Sequence, residues 1–466
     1  MKTQKHRDSG PQARPALPPL RDIIRQSFRF AFLLSLAACL SSSGAAAVEA
    51  DRPNIILIIS DDHTYTHYGF MGHEIVRTPA LDRMADESLL YTRGYTMPVC
   101  SPTLASLLTG SLPHQHGITG NDIAPGAPDY PGSRSQRGPL LHHLLENPLI
   151  LPEALTEAGY LTFQTGKLWN ASYDDLGFTH GMTKKRSRHG GAGLKIGREG
   201  MEPVYEFIDQ ALEEEKPFFI WHAPFLPHDP HNPPERLLEK YKGTGPTRHA
   251  EVYYAMVEWL DETTGELDAW LEQKGLRKNT VILYLSDNGW NAHHGYEGGR
   301  AKLTPYEDGI RTPMFMRWPG KVKPKRDELT LASVLDFPTT ILELAGVEVP
   351  AHMGGLNLMN REAMIARDTV FVESYSHDIV ELGQPVKSLT ARVVIHGWWK
   401  LILPGPHVEQ NKFAKRFSKI DPGIQLFDLK NDPRETNNLA GQHPDVVKRL
   451  KALQAAEWSI SPLPAQ

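Results

Sequence analysis

Three apolar runs, each stopping abruptly at polar residues, constrain this chain more than any other feature. Asn54-Ile-Ile-Leu-Ile-Ile59 ends in Ser60-Asp61-Asp62-His63, and Pro217-Phe-Phe-Ile-Trp-His-Ala-Pro-Phe225 ends in Leu226-Pro-His228-Asp-Pro-His231. Thr280-Val-Ile-Leu-Tyr-Leu285 ends in Ser286-Asp287-Asn288-Gly289. A strand covered on both faces reads as a continuous apolar run rather than an alternation, so these three predict neighbouring strands of a parallel sheet. Helical stretches lie between them, including Thr78–Leu90, Leu151–Ala158 and Ala250–Lys274. The order is βαβ-like, and the expected fold is α/β: a mixed, mostly parallel central sheet sandwiched by helices. Ligand crevices of such sheets lie beyond the carboxyl ends of the strands. All three polar clusters would land there.

Composition narrows the function classes. The chain has 466 residues, 50 Lys+Arg against 55 Asp+Glu and a formal charge of −5, with no basic face to suit nucleic acid. A chain of this size can bury a large core. No run of 18 apolar residues occurs, so no membrane-spanning helix is expected. Residues 1–50 differ from the rest: seven Lys/Arg precede the apolar stretch Phe30 to Leu40 and then Ser41-Ser-Ser-Gly-Ala-Ala-Ala47. A basic segment, a short apolar segment and small residues predict an export signal cleaved near Ala47. Leu36-Ala37-Ala38-Cys39 also fits a bacterial lipobox that would place a lipid on Cys39, and an uncleaved tail is the bland alternative. Periplasmic or secreted location follows in either export case. Removal of this segment would leave 43 basic and 52 acidic residues and a single cysteine, Cys100, with no intramolecular disulfide to make.

Asp61, Asp62, Asp287 and Asn288 offer hard oxygen atoms from two strand ends. Such a set suits Ca²⁺ or Mg²⁺ better than zinc, which prefers His and Cys. The competing reading is a helix cap at Asp61-Asp62 and a surface turn at Asp287-Asn288-Gly289. Cys100-Ser-Pro-Thr-Leu-Ala-Ser-Leu-Leu-Thr-Gly110 reads as a helix with Pro102 in its first turn and Gly110 as its stop. Cys100 thus lies at a helix amino terminus, which favours an anion. A buried small hydrophobe is the other reading of a lone cysteine.

At this point the chain resembles the type I, formylglycine-dependent sulfatases of the alkaline phosphatase superfamily, from Pro53 onward. The residues that carry the resemblance are Pro53-Asn-Ile with Asp61-Asp62, Cys100-Ser-Pro with Leu108-Thr-Gly110, and Gly159-Tyr with Gly166-Lys167. Pro-His228-x-Pro-His, Ser286-Asp287-Asn288-Gly289 and Lys302-x-Thr-Pro-Tyr-Glu-Asp-Gly-Ile-Arg-Thr-Pro313 come next in the family's order, as does the late Leu426-Phe-Asp-Leu-Lys-Asn-Asp-Pro-Arg-Glu435. The resemblance implies that Cys100 is oxidised to formylglycine by a formylglycine-generating enzyme. One oxygen of its hydrate would attack sulfur, and the second would then expel sulfate. It further implies Ca²⁺ (or Mg²⁺) held by Asp61, Asp62, Cys100, Asp287 and Asn288. Lys167 and Lys302 would neutralise the sulfuryl oxygens, and His228 would protonate the departing alcohol. The expected substrate is a sulfated small molecule or glycan.

Two positions depart from the pattern. The family signature Cys-x-Pro-x-Arg has Leu104 in its last place, and a leucine cannot replace a guanidinium fork. Two residues after Lys167 the family often has His, but here Trp169 stands; His293 or His294 would have to serve instead, and Trp169 would either stack on a sugar or fill core. His231 is left open between structural and functional roles. The active sulfatase is therefore weighed against a phosphomonoester or phosphodiester hydrolase of the same superfamily and against a non-catalytic binder of sulfated glycans. Elsewhere, Gly190 to Gly200, after the basic run Lys184 to Arg188, is expected to be a mobile rim loop. Leu331 to Val347 is expected to be a helix. The expected organisation is an export segment over 1–50, a catalytic α/β domain over 51–365 and a smaller C-terminal α+β domain over 366–466. The last would contain an antiparallel sheet built from Thr369-Val-Phe-Val372, Ala391-Arg-Val-Val-Ile395 and Trp398-Trp-Lys-Leu-Ile402, closed by a helix from Pro444 to Trp458.

Overall fold

In a computed structural model of the chain, the described residues are 52–128, 137–168, 170–184, 188–293, 299–406 and 420–458. Residues 1–50, where an export signal is expected, with Cys39, as well as Trp169, His294 and part of the Lys184 to Arg188 run, lie outside them. The strands run in chain order β1 (Asn54–Ser60), β2 (Leu89–Tyr95), β3 (Asp122–Ile123), β4 (Leu161–Gly166), β5 (His180–Gly181), β6 (Phe218–Ala223) and β7 (Thr280–Ser286). They continue with β8 (Arg311–Arg317), β9 (Lys325–Ser333), β10 (Thr369–Tyr375), β11 (Asp378–Ile379), β12 (Leu389–His396), β13 (Trp399–Pro404) and β14 (Gln425–Asp428). The main sheet has the order β5-β4-β6-β1-β7-β8-β2-β9. Its pairs are parallel except β7 with β8 and β8 with β2, so the sheet is mixed and mostly parallel as expected.

The three apolar runs are β1, β6 and β7, side by side at its centre. Successive β1 residues serve opposite layers. Ile55, Leu57 and Ile59 join Leu104, Leu107 and Leu108 of the Cys100–Thr109 helix. Ile56 and Ile58 join Leu81, Met84, Leu267 and Leu271 of the helices Pro79–Asp86 and Arg248–Gln273. Each such side chain contributes about 1.5–3 kcal/mol of burial free energy, and a one-residue slip would exchange the two layers, so the register is firmly held. That register pairs Ser60 with Ser286, which makes Asp61 and Asp287 the first residues past the same edge.

Two helices are shorter than the sequence suggests. The stretch Thr78–Leu90 is a helix only over Pro79–Asp86; Leu89 and Leu90 begin β2, because their apolar side chains fit the sheet once Leu81 and Met84 have filled the helix face. Leu331 to Ser333 likewise belong to β9, and the helix is Asp336–Leu344. Buried Asp336 fixes that boundary: its carboxylate accepts the Ser333 and Leu356 backbone N–H groups and both terminal nitrogens of Arg367, at 2.6–2.8 Å.

A second, antiparallel sheet has the order β10-β12-β13-β14. Val394, Leu401, Leu403 and Leu426 on one face meet Val446 and Leu450 of the closing helix Pro444–Trp458. Val393, Ile395 and Ile402 on the other face join the apolar cluster that underlies the main sheet. No helix among the described residues is long and apolar enough to cross a membrane.

A buried ion pair links β10 to the short helix Pro113–His116 that comes after the Cys100 helix. Glu373 accepts from the ring Nδ1 of His114, from the His114 backbone N–H at 2.9 Å and from Tyr375 Oη at 2.8 Å. Burial alone would lower the His114 pKa, but Glu373 outweighs it and raises it above the ordinary value. The pair's contribution is therefore complete below about pH 6.5 and is lost as pH rises through the raised folded-state value. His114→Ala should cost about 3–5 kcal/mol at pH 6. Thermal melts at pH 6 and pH 9 should show the gap from wild type narrowing at the higher pH; an equal gap at both would refute the charged pair.

Candidate active site

The site is assembled where β1, β4, β6 and β7 end. Asp61 donates its backbone N–H to Leu226 O, Asp287 donates to Ser60 O, and His63 donates to Asn288 O, at 2.9–3.1 Å. These bonds continue the sheet by one residue and lock the three post-strand segments together. Asp62 takes a left-handed backbone conformation with φ of 60°, which costs a non-glycine residue roughly 1 kcal/mol or more. It is held there from several sides. Its N–H donates to Asp287 Oδ1 at 3.2 Å, its carbonyl accepts from Tyr253 Oη at 2.8 Å, and its carboxylate meets Asn288 Nδ2 at 2.7 Å and Lys302 Nζ.

Lys167 lies just past β4 and bridges two strand ends, with Nζ 2.6 Å from Asp61 Oδ2 and 3.4 Å from Asp287 Oδ2. His228, on the segment after β6, has Nε2 3.4 Å from Asp62 Oδ2, while its Nδ1 faces the backbone oxygen of Asp229 at 2.6 Å and its carboxylate at 2.8 Å. Sequence-predicted Asp61, Asp62, Lys167, His228, Asp287, Asn288 and Lys302 are thus in direct contact with one another. None exceeds 8 % exposure, so water is largely excluded.

The electrostatics of this cluster are unbalanced. Three buried carboxylates face two lysines. Burial would raise the Asp61 carboxyl, but Lys167, His228 and Lys302 outweigh it and hold it well below the usual range. Burial and the charge of Asp61 push Asp287 in the opposite direction, well above that range. Lys167 is held firmly charged, with Asp61 foremost in overcoming its burial. Asp61 Oδ1, Asp62 Oδ2 and Asn288 Oδ1 are buried and have no hydrogen-bond partner among the described residues. Ligand atoms of Asp61, Asp62 and His228 all lie within 4.8 Å of one another. Unsatisfied oxygens and excess negative charge in one place fit a hard divalent cation such as Ca²⁺ or Mg²⁺.

Cys100 opens its helix as expected and is buried beside Val99 and Leu303. Burial raises its thiol pKa, with Lys167 and Lys302 pulling the other way, so the unmodified side chain is a thiol rather than a thiolate. Leu104 is fully buried among the apolar side chains beneath the sheet, and no residue of this helix brings a cation to position 100.

The seat of Cys100 includes a residue that no sequence motif marks. Asn121 Oδ1 lies 3.5 Å from Cys100 Sγ and accepts the Ser101 N–H at 3.2 Å. Asn121 Nδ2 meets His377 Nε2 at 3.2 Å, and His377 Nδ1 meets Asp378 Oδ1 at 2.7 Å. The parallel pairing of β3 with β11 fixes that chain of contacts. Its members are 256 residues apart and carry no local signature.

A second such residue is Arg198. Its guanidinium donates to the backbone oxygens of Phe225, at 2.9 Å, and His228, at 3.1 Å, and to Asn232 Oδ1. The Phe225 ring stacks on the His228 ring at 4.3 Å. The stretch expected to be a mobile loop is instead a 3₁₀ turn over Arg188–Lys195 leading to this clamp; a Cβ at Gly193 would come within 2.5 Å of Gly166 O, so the backbones pack directly. Two further candidate histidines, His231 and His293, are not brought into the cluster. His231 packs among His249, Tyr253 and Trp290, where burial and His249 lower its pKa to about 4. His293 is exposed and lines a separate cavity beyond Trp290.

Known proteins share this arrangement of the chain. A family model described as Sulfatase matches residues 53–347, and one described as N-sulphoglucosamine sulphohydrolase, C-terminal, matches residues 294–457. The chain is 30% identical to N-acetylgalactosamine-6-sulfatase of Rattus norvegicus over 75% of this chain and 74% of that protein. It is 24% identical to N-acetylglucosamine-6-O-sulfatase of Bacteroides thetaiotaomicron over 91% of this chain and 88% of that protein. In fold it is similar to a sulfatase of Pseudoalteromonas sp., with a TM-score of 0.64 and 22% identity over 88% of this chain and 91% of that one. A structure in complex with its substrate D-glucosamine-2-N,6-O-disulfate also has a TM-score of 0.64, at 20% identity over 87% and 97% of the two chains.

If the cluster holds a cation, calcium added to chelator-treated protein should raise the melting midpoint, by the equivalent of about 2.7 kcal/mol at a hundredfold excess over its dissociation constant. Asp62→Asn should lose most of that gain. A wild-type midpoint indifferent to calcium and magnesium would remove the cation site.

Proposed function

Because the chain belongs to the sulfatase family and is an enzyme of that class, we propose that it hydrolyses sulfate esters of a carbohydrate, with position 100 as nucleophile after conversion to formylglycine and with a divalent cation at Asp61, Asp62, Asp287 and Asn288. The observation that carries this reading is the convergence of three carboxylates, one amide, two lysines and His228 beside buried Cys100. The names of relatives that act on N-acetylgalactosamine and N-acetylglucosamine sulfates support a sugar as the carrier of the ester. The basic and apolar segment before Ala47 supports export, with work done in the periplasm or outside the cell.

Asp61, Asp62, Asp287 and Asn288 would hold the cation, which would supply positive charge to the sulfate oxygens and favour the ionised form of a hydroxyl at position 100. The chain's own groups do the rest. Lys167 and Lys302, both held against aspartates, present fixed positive charge in a site with little water, where it acts most strongly. His228 is suited to deliver a proton to the leaving oxygen: Asp229 takes its Nδ1–H, so Nε2 is the nitrogen directed into the cluster. Arg198 and Phe225 keep that ring in place. Asn121 orients the position-100 side chain.

Leu104 favours one rival, a non-catalytic binder of sulfated glycans in which the thiol is never converted. The mass of the tryptic peptide containing Cys100, from protein made in its native host, separates the two, since formylglycine is lighter than cysteine. We expect the lighter peptide, together with hydrolysis of 4-nitrophenyl sulfate in preference to 4-nitrophenyl phosphate. Cys100→Ala and Asp287→Ala should each lower that rate by at least ~10³-fold. An unmodified thiol with no hydrolysis would leave the binder; faster phosphate hydrolysis would leave a phosphoesterase.

A further inference from the structure

The late motif Leu426 to Glu435 has no part in the proposed reaction, yet it and the residues just before it grip the segment that carries Lys302. That segment has a backbone it would not keep by itself. Leu303 lies in the left-handed region, with φ of 69°, which is unfavourable for any residue with a side chain. The turn sends two neighbours to different places. Leu303 packs on Val99 and Cys100, with its N–H on Pro98 O at 2.7 Å, while Lys302 Nζ pairs with the Asp62 carboxylate. A backbone free to relax would leave the left-handed region and draw the ammonium group off the cluster.

The restraint comes from the C-terminal part of the chain. Arg300 and Tyr306 stand on either side of the turn, and the guanidinium lies over the Tyr306 ring at 4.3 Å. Asp421 joins the two: its carboxylate meets Arg300 Nη2, and its backbone N–H donates to Tyr306 Oη at 3.1 Å. Tyr306 Oη donates in turn to Gln425 Oε1 at 2.9 Å, and Arg300 Nη1 donates to the backbone oxygen of Glu435. Glu435 then ties the next residue. One of its carboxylate oxygens accepts the Glu307 N–H at 2.6 Å; the other lies 2.7 Å from Lys400 Nζ on β13, which is 3.0 Å from Glu307 Oε1. These last three side chains are buried, so water and salt compete little for their contacts.

Contacts that served stability alone would be spread over the boundary between the two sheets. These converge on both ends of one turn whose middle holds Lys302. We propose that Asp421, Glu435 and Lys400 are positioning residues for Lys302: they close the base of the turn over residues 300–306 and so hold the ammonium group where charge develops on the sulfuryl oxygens. Fixed charge acts on a transition state only as well as it is placed, and a shift of about 1 Å can cost about 10²-fold in rate. The inference rests on the sulfatase reading and gives the C-terminal sheet a part in the rate of the reaction.

The test is a double-mutant cycle read by hydrolysis of 4-nitrophenyl sulfate below the melting midpoint of every variant. Glu435→Ala should lower kcat about 10- to 100-fold and Asp421→Ala about 3- to 10-fold, each with KM within about threefold. Glu435→Gln, which keeps an acceptor for the Glu307 N–H but no charge for Lys400, should recover part of the loss. In a Lys302→Ala background both alanine substitutions should leave the remaining rate within about twofold, because the group they position is gone. Losses of the same factor with and without Lys302 would mark a structural role and overturn the proposal, as would an unchanged kcat. Should Glu435→Ala not fold, Asp421→Ala, whose side chain is 58 % exposed, carries the cycle alone. Amide hydrogen exchange gives a readout apart from activity: over residues 300–310 it should quicken at least about tenfold in Asp421→Ala while β1 and β7 keep wild-type protection, and equal protection throughout would overturn the restraint. Wild type inert toward the aryl ester would overturn the sulfatase reading and the positioning role together; an active wild type with independent losses would overturn the positioning role alone.

Discussion

The structure depends on a concentration of negative charge that the fold cannot neutralise by itself. Asp61, Asp62 and Asp287 are all but removed from water, and among the described residues Lys167 and Lys302 are the permanent cations paired with them. An isolated buried carboxylate is among the most expensive groups a protein can contain, so the arrangement persists only because surrounding elements hold it from several directions. The apolar layers do that work. They fix the register of β1 against β6 and β7, and the register in turn fixes which residues emerge at the edge. Stability is gained in the two cores and drawn on at the strand ends, a division common to sites whose charges must be ready for a substrate.

The left-handed backbone at Asp62 shows the same dependence locally. Without it, Asp61 and Asp62 would point to opposite faces of an extended strand, and only one could enter the cluster. With it, both carboxylates turn to the same side, toward Lys167 and Lys302 respectively. Tyr253 and Asp287 hold the backbone in that form, so a residue on the long helix Arg248–Gln273 supports the site from outside the charged cluster.

The central strands and most of the charged cluster were legible because they are local. An apolar run that stops at Asp-Asp or Asp-Asn reports both the strand and the polar residues just past its end, and each needs only adjacent residues to be read. The strands β2 and β9 were not legible in the same way. Their apolar residues adjoin helical ones without a break, and it is the sheet, not propensity, that claims Leu89 and Leu331. Asn121 with His377, and Arg198 with the His228 segment, were invisible for a different reason. Each is a contact between distant segments, made by residue types that ordinarily face solvent. The glycines around Gly193 even pointed the wrong way, since small residues that permit close backbone packing leave the same trace as those of a mobile loop.

Leu104 and Asn121 together define the seat of position 100 beside the charged cluster. A side chain at position 104 lies one helical turn past Cys100, and in this chain that turn has become part of the apolar layer under the sheet. An arginine there would need both a carboxylate partner and room for a guanidinium, and would remove one of the leucines that secure the helix to β1. Orientation of position 100 falls instead to Asn121, which is held by the β3–β11 pairing and backed by His377 and Asp378. An amide brings hydrogen bonding without charge. The positive field at position 100 then comes from Lys167 and Lys302, so the character of that position depends directly on the charged cluster.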